Sequence, residues 1–253
     1  MAVRLFAMTC GWVTGSASGF LAGEPGRLRV PIPCFLIDHP QGKVLFDSGM
    51  HPAAQTDPAG RLGVVAKLFD IEFHPGEEAA ARLAALDVDA GAIRYLVNSH
   101  FHFDHAGGNA TIPNAQLVVQ RAEWEAAQDE ELARRNFFDR ADFDTGHDRL
   151  LVDGEHDLFG DGRVLCLPTF GHTSGHQSLR LQLDSGEVVL TGDACYLRRT
   201  LEQLHLPSVV FDEQAMLDSL RRLRALRDRG ARIFYGHDPE FWASVPQAPT
   251  AIA

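Results

Sequence analysis

The sequence of 253 residues has little cysteine and comparatively little positive charge. Its four cysteines show no C-x-x-C spacing, and a chain of this length does not need disulfide bonds, so reduced, buried thiols in a cytoplasmic protein are expected. Lys and Arg total 23 against 34 Asp and Glu, a formal net charge of -11. A chain of that sign repels a phosphate backbone, which argues against a nucleic-acid-binding protein.

Long hydrophobic runs are also missing. A membrane span needs about 20 consecutive apolar residues, and even the apolar stretch at residues 30–37 is interrupted by Pro31 and Pro33. The amino-terminal residues 1–13 are broken by Thr9 and Gly11 before the core of a signal peptide could form. We therefore expect a first strand there, and neither a membrane protein nor a membrane partner.

What the sequence contains is a globular composition, with 45% hydrophobic and 23% charged residues. Helical patterns cover residues 77–86 and 212–229, and residues 129–161 are expected to form loops and short helices. Without a Pro/Ser-rich linker, residues 1–253 are predicted to be a single α/β domain with a two-sheet core and helices outside. Strand patterns cover residues 3–8, 30–38, 43–47, 93–98, 116–120, 164–168, 179–183, 188–191 and 232–235.

One short string concentrates the chemistry of the chain, and only Asn98 and Ser99 separate it from the apolar residues 95–97. It reads His100-Phe101-His102-Phe103-Asp104-His105. In an extended segment, alternation places His100 and His102 on the same side, and the chain then turns and carries Asp104 and His105 to a second point. Two adjacent sets of ligands are predicted. Imidazole and carboxylate ligands suit zinc, manganese, iron or cobalt.

Three further candidate ligands each follow a predicted strand. His172 comes after residues 164–168, Asp193 ends the apolar segment that begins at Val188, and His237 follows Gly236. Each lies beside a glycine or directly after one. Core packing does not predict polar residues in such positions, whereas a metal site at the ends of strands does.

These residues resemble the metallo-β-lactamase superfamily, whose fold is an αββα sandwich of two mixed sheets with helices on the outer faces. The closer similarity, which runs nearly from end to end, is to the N-acyl homoserine lactonases. Besides the H-x-H-x-D-H string, it is carried by residues 38–50, 119–126, 171–179, 193–196 and 236–238.

The resemblance implies two divalent metal ions, with zinc expected first and manganese, iron or cobalt as alternatives. Asp193 would bridge the two ions. Cys stands at that position in thiolate-ligated β-lactamases, so β-lactam hydrolysis is not expected, and Cys195 is assigned to packing. Asp47 would orient a ligating histidine through a hydrogen bond. One ion would be held by His100, His102 and His172, and the other by Asp104, His105 and His237.

The implied activity is hydrolysis of the lactone ring of N-acyl homoserine lactones, the reaction of quorum quenching. Two such ions can share one water and activate it as hydroxide. Tyr196 would hydrogen-bond the carbonyl oxygen as it becomes an oxyanion, and Asp104 would return a proton to the leaving alkoxide. Alternatives are another small lactone or ester, such as a pyridoxine-derived lactone or a phosphotriester, a thioester, or a nonenzymatic metal-binding module.

A small acyl lactone is the expected partner, and the chain is expected to be a monomer or a homodimer. The acyl chain needs an apolar pocket, for which residues near the amino terminus and the first crossover are candidates. Ordinary packing is an equally good interpretation of each of them. They are Trp12, Phe20, Leu21, Leu68, Phe69 and Phe73.

Overall fold

A computed structural model describes residues 2–252 of the chain. Within that range the strands, in chain order, are β1 (Arg4–Ser16), β2 (Arg27–His39), β3 (Gly42–Phe46), β4 (Asp70–Glu72), β5 (Ile93–Val97), β6 (Gln116–Gln120), β7 (Arg149–Val152), β8 (His156–Asp157), β9 (Val164–Pro168), β10 (Gln177–Leu183), β11 (Gly186–Leu190) and β12 (Arg232–Phe234).

The α-helices of the same described range are mostly short. They are α1 (Ala17–Phe20), α2 (Pro58–Leu62), α3 (Ala79–Ala84), α4 (Phe103–Ala106), α5 (Arg121–Gln128), α6 (Glu130–Arg135), α7 (Arg140–Phe143), α8 (Arg198–Gln203), α9 (Glu213–Asp228) and α10 (Pro239–Trp242). Short 3-10 turns cover Pro52–Gln55, Val65–Lys67, Ala90–Ala92, Asn109–Thr111 and Gly192–Ala194.

The strands form two mixed sheets. The first sheet has the order β4-β1-β2-β3-β5-β6-β7 and the second has the order β12-β11-β10-β9-β8. In the first sheet β3, β5, β6 and β7 are parallel to one another, while β1, β2 and β4 pair antiparallel. In the second sheet only β11 and β12 are parallel among the described pairs.

Alternation along the strands sorts the apolar side chains into layers. In β3, Val44 and Phe46 face the other sheet, whereas Leu45 joins the cluster on the outer face. In β11, Val188 and Leu190 face the first sheet, whereas Val189 packs outward. Because side chains alternate along a strand, a continuous apolar run of this kind is buried on both faces of its sheet.

Helices cover both outer faces. Leu83 of α3 packs in the cluster outside the first sheet, and Leu220 and Leu223 of α9 pack against Val189 and Ile233 outside the second. Helix, sheet, sheet and helix thus form four successive layers. The expectation of an αββα sandwich with two mixed sheets is confirmed, and the assignment of residues 1–253 to one domain stays a prediction.

The element boundaries differ most in β1, which continues to Ser16 instead of ending near residue 8. Its register with β2 shifts between Thr9 and Trp12, and Gly11 has φ +102° there. This irregularity lets the strand pass through polar and glycine residues that interrupt its pattern in the sequence. Among residues 2–252 no helix combines the length and the apolar character needed to cross a membrane.

Candidate metal centre

The candidate ligands meet because their strands point the same way. In the second sheet β11 is parallel to β12, and β9 lies two antiparallel steps from β11, so all three strands end at one edge. His172, Asp193 and His237 follow these three strands in turn. The H-x-H-x-D-H string follows β5 of the first sheet and continues into α4. The site therefore lies at one end of the sandwich, with contributions from both sheets.

The first ligand group consists of His100, His102, His172 and the Oδ2 atom of Asp193. Nε2 of His100 lies 2.9 Å from Nδ1 of His102 and 3.2 Å from Nε2 of His172. Oδ2 of Asp193 lies 3.3 Å from the same His172 nitrogen. All the ligand atoms of this group lie within 4.8 Å of one another, a spacing that one metal ion can bridge.

The second ligand group consists of Asp104, His105, His237 and the Oδ1 atom of Asp193. Oδ1 of Asp193 lies 3.2 Å from Nε2 of His105 and 3.0 Å from Nε2 of His237. Oδ2 of Asp104 lies 3.6 Å from the same nitrogen of His237. The two oxygens of Asp193 thus face different groups, which is the geometry of a bridging carboxylate.

The outer nitrogens of the histidine rings are held by hydrogen bonds. Nδ1 of His105 donates to Oδ2 of Asp47 over 2.8 Å, Nε2 of His102 donates to the Asn136 carbonyl over 2.7 Å, and Nδ1 of His237 donates to the Pro31 carbonyl over 2.8 Å. These bonds fix each tautomer so that the lone pair of the other ring nitrogen points into the cluster. Asp47 therefore occupies the orienting position predicted from the sequence.

Unpaired buried atoms test whether the cluster fits metal ions. Nε2 of His105 and Oδ1 of Asp193 are both buried and have no hydrogen-bond partner. A buried polar atom without a partner is costly, and a coordinated cation satisfies both atoms at once. Nitrogen and carboxylate donors without thiolate suit a divalent ion of the zinc type. The residues fit divalent metal ions.

The electrostatics of the site agree with that fit. Burial lowers the pKa of His100 well below its ordinary value and the pKa of His102 to about 3, so these rings are neutral, the form that binds metal. Burial also lowers the pKa of His105, but the charges of Asp193, Asp104 and Asp47 outweigh it and raise that pKa well above the ordinary value. Carboxylates that attract a proton to this ring also attract a cation.

Tyr196 is buried beside both groups. Its hydroxyl lies 3.5 Å from Nδ1 of His172, and its ring centroid lies 5.4 Å from that of His237. Burial and the charge of Asp193 raise the pKa of Tyr196 well above its ordinary value, so the phenol keeps its proton and can donate it in a hydrogen bond. The Tyr196 hydroxyl therefore lies beside the candidate ligands.

An aromatic wall stands next to Tyr196. Phe20 lies 5.5 Å from Tyr196 and 6.5 Å from Phe69 between ring centroids, and Phe69 lies 6.0 Å from Phe103. Two of the apolar candidates from the sequence therefore adjoin the site. Trp12 does not belong to this wall, since the Arg29 guanidinium stacks 3.9 Å above its ring.

Two further buried groups that support the cluster were not assigned from the sequence. His176 is fully buried, and its Nε2 accepts the backbone N–H of Asp193 over 3.0 Å. Glu123 is fully buried in the first turn of α5. Burial raises its pKa to about 7, although hydrogen bonds from Gly175, Thr173 and Phe101 each lower it and favour the carboxylate. These roles follow from hydrogen bonds to loops that are distant in the sequence, so the residues around His176 and Glu123 give no signal of them.

Residues 27–237 match the metallo-β-lactamase superfamily. The chain is 35% identical to the N-acyl homoserine lactonase AttM of Azorhizobium caulinodans, over 90% of this chain and 89% of that protein. It is 31% identical to the N-acyl homoserine lactonase AiiA of Bacillus thuringiensis subsp. kurstaki, over 85% of each chain.

Among solved structures, an N-acyl homoserine lactone hydrolase with the product N-hexanoyl-L-homoserine bound at its catalytic metal centre superposes with a TM-score of 0.89. The two chains are 29% identical, and the match covers 100% of each.

The fold and the histidine and aspartate cluster define a metallo-β-lactamase-superfamily hydrolase, and the chain belongs to that superfamily. Within the superfamily it belongs to the N-acyl homoserine lactonases. The family resemblance derived from the sequence is confirmed.

Proposed function

We propose that the protein hydrolyses the lactone ring of N-acyl homoserine lactones and so inactivates quorum-sensing signals. The observation that carries the proposal is the position of Asp193, whose two carboxylate oxygens face the two ligand groups next to the Tyr196 hydroxyl. Membership of the lactonase family supports this choice of substrate class. The related structure with a bound N-hexanoyl-L-homoserine product is consistent with it.

The proposed cofactor is a pair of divalent ions, with zinc expected first. His100, His102 and His172 would hold one ion, Asp104, His105 and His237 the other, and Asp193 both. When bound, such ions supply Lewis acidity and make a water molecule nucleophilic near neutral pH. The two ligand groups, and the position of Asp193 between them, support two ions instead of one.

Tyr196 is proposed to stabilise the charge that develops on the lactone carbonyl oxygen. Its buried phenol keeps its proton, so the hydroxyl can donate a hydrogen bond to that oxygen as the carbonyl carbon becomes tetrahedral. The neighbouring Phe20 ring packs edge-on at 5.5 Å and fixes the orientation of the tyrosine ring. A donor that is already in place costs no reorganisation during the reaction.

Asp104 is proposed to carry the proton. Its side chain is 10% exposed and lies at the cluster, with Oδ2 3.6 Å from Nε2 of His237. It would take up the proton that the attacking water releases and deliver it to the ring oxygen when the C–O bond breaks. The products are then an open-chain N-acyl homoserine with a free hydroxyl and a new carboxylic acid, which releases the second proton of the water to the solvent and becomes a carboxylate.

Proton release during ring opening tests the proposal directly. Short-, medium- and long-chain N-acyl homoserine lactones would be compared with simple esters, unrelated lactones and a phosphotriester, using metal-loaded and chelated protein. His237→Ala removes a candidate ligand, and His205→Ala is its control because His205 lies outside both ligand groups.

We expect rapid opening of the acylated lactones that is lost on chelation and in His237→Ala, and kept in His205→Ala. Preferential turnover of the phosphotriester or of an unrelated lactone would assign the same site to a different substrate. Equal activity with and without bound metal would reject a metal-dependent reaction altogether.

A further inference from the structure

Glu123 connects the two loops that carry the first ligand group. Its Oε1 atom accepts the backbone N–H of Phe101 over 3.1 Å, and its Oε2 atom accepts the backbone N–H of Gly175 over 2.7 Å. The Thr173 hydroxyl lies 3.0 Å from Oε1 and 2.9 Å from Oε2 and donates between them. Phe101 stands between His100 and His102, and Thr173 directly follows His172.

The connected loops belong to different sheets. The loop with Phe101 follows β5 of the first sheet, and the loop with Thr173 and Gly175 joins β9 to β10 of the second. Glu123 itself is on α5, which begins directly after β6. The carboxylate therefore spans the junction of the two sheets at the edge where the histidines meet.

The fit at this junction is tight. A Cβ atom added to Gly175 would overlap the backbone of Glu123, so the loop approaches the helix as closely as its backbone allows. Glu123 is 0% exposed. A buried carboxylate is costly unless its hydrogen bonds are made, and here both oxygens are used by donors of the ligand loops.

We propose that Glu123 is a positioning residue that sets the spacing of His100 and His102 relative to His172. Glu123 makes its hydrogen bonds to the two loops and acts through them. The inference rests on the proposed metal role of the first ligand group and not on the identity of the substrate.

A glutamine cannot replace this carboxylate. Each oxygen of Glu123 faces a backbone N–H, so an amide placed in either orientation sets its NH₂ group against one of these donors. Glu123→Gln therefore breaks one of the two backbone links while it preserves the size of the side chain. Thr173→Val is a milder change, because it removes the shared hydroxyl but keeps both backbone links.

The control is Glu125→Gln, which removes one negative charge from the exposed side of the same helix. For all four proteins we would measure the affinity for zinc by competition with a chelator. The visible absorption of the cobalt-substituted proteins would be recorded as well, because it reports ligand geometry without any substrate. Unfolding of the metal-free forms shows separately how much each change affects the fold.

We expect the affinity for zinc to fall about 10- to 100-fold in Glu123→Gln, the scale for residues that orient metal ligands. Thr173→Val should fall less, with cobalt bands shifted in the same direction, and Glu125→Gln should match the original protein. The proposal would be overturned if Glu123→Gln and Thr173→Val both bound zinc within twofold of the original affinity and showed unchanged cobalt bands. This holds even if their metal-free forms are less stable.

If Glu123→Gln does not fold, Thr173→Val alone decides by the same criteria. A metal-loaded protein that opens no N-acyl homoserine lactone would count against the proposed substrate. The zinc and cobalt measurements would still test Glu123.

Discussion

Oδ2 of Asp47 lies 2.8 Å from Nδ1 of His105, on the side of the ring that faces away from the ligand cluster. The same carboxylate accepts the Ser99 hydroxyl over 2.8 Å, and its other oxygen accepts the Ser99 backbone N–H over 2.7 Å. Asp47 thereby holds both the histidine and the start of the ligand string. Its position at φ +59° is one that Asn also tolerates, which makes Asp47→Asn a clean substitution.

Asp47→Asn is expected to lower the metal affinity of the second ligand group about 10- to 100-fold, because the His105 ring loses a charged hydrogen-bond acceptor. Metal content would be measured by elemental analysis after dialysis against graded chelator. Asp38→Asn is the control, since Asp38 pairs with Arg4 and Lys43 away from the cluster. Equal metal retention in the two variants would contradict the prediction.

Tyr196→Phe removes one hydroxyl from the site. We expect the turnover of N-acyl homoserine lactones to fall about ten- to a thousandfold, the scale for a lost oxyanion donor, with metal content unchanged. Tyr95→Phe is the matched control, because Tyr95 is a buried tyrosine that packs 5.5 Å from Phe159 instead. Steady-state kinetics with both variants would check this, and unchanged turnover in Tyr196→Phe would remove the hydroxyl from the mechanism.

Gly171→Ala tests the backbone that precedes His172. Gly171 has φ +123°, and a Cβ atom there would overlap the backbone of Met216 in α9. Gly186 has nearly the same φ, +126°, but meets no atom within 4 Å. Gly186→Ala should lose only the backbone contribution of about 1 to 3 kcal/mol.

Gly171→Ala should lose more free energy of unfolding than this control and should also bind less metal, because the loop that carries His172 must shift. Urea unfolding and metal analysis of the two variants would check both parts. Similar losses of stability in both variants, with full metal content, would show that the loop accommodates the methyl group.

Asp142 predicts a pH dependence of stability. It is buried in α7 and pairs with Arg61 of α2 through one oxygen, while its Oδ2 atom has no hydrogen-bond partner. Burial raises its pKa from 3.8 to about 7, although Arg61 lowers it. Between these values the folded protein binds a proton that the unfolded chain does not, so the free energy of unfolding falls as the pH rises from about 4 and levels off above about 7.

The free energy of unfolding of the original protein, relative to that of Asp142→Asn, should therefore decline between about pH 4 and pH 7 and level off above about pH 7. Urea titrations of both proteins across this range would measure the difference, with chelator present because metal binding adds its own pH dependence. A difference that is constant with pH would contradict the assignment.

The sequence predicts the layers and the candidate ligands because both depend on local patterns. Val188, Val189 and Leu190 lie in an apolar run that is typical of a strand buried on two faces, and the string from His100 to His105 contains four candidate ligands side by side. Glu123 and His176 give no such signal. Their roles depend on which loops of the two sheets come together, and that is decided by tertiary packing.

The role of Asn136 also depends on tertiary contacts. Its carbonyl accepts the Nε2–H of His102, and its side-chain oxygen accepts the backbone N–H of Ser174 over 3.2 Å. The surrounding segment, residues 129–161, contains short helices and loops as expected, together with β7 and β8. A polar residue at the end of a short exposed helix is ordinary in a sequence, and only the neighbouring histidine gives it meaning.

Both ligand groups combine residues of the two sheets, and this has a mechanical consequence. The four cysteines are free and buried, so no disulfide constrains the chain among the described residues. An ion held between His105 and His237 would join loops of the two sheets that are far apart along the chain. Because such ions bind the folded state, the free metal concentration sets part of the free energy of unfolding. Metal starvation would then shorten the lifetime of the folded enzyme as well as abolish its activity.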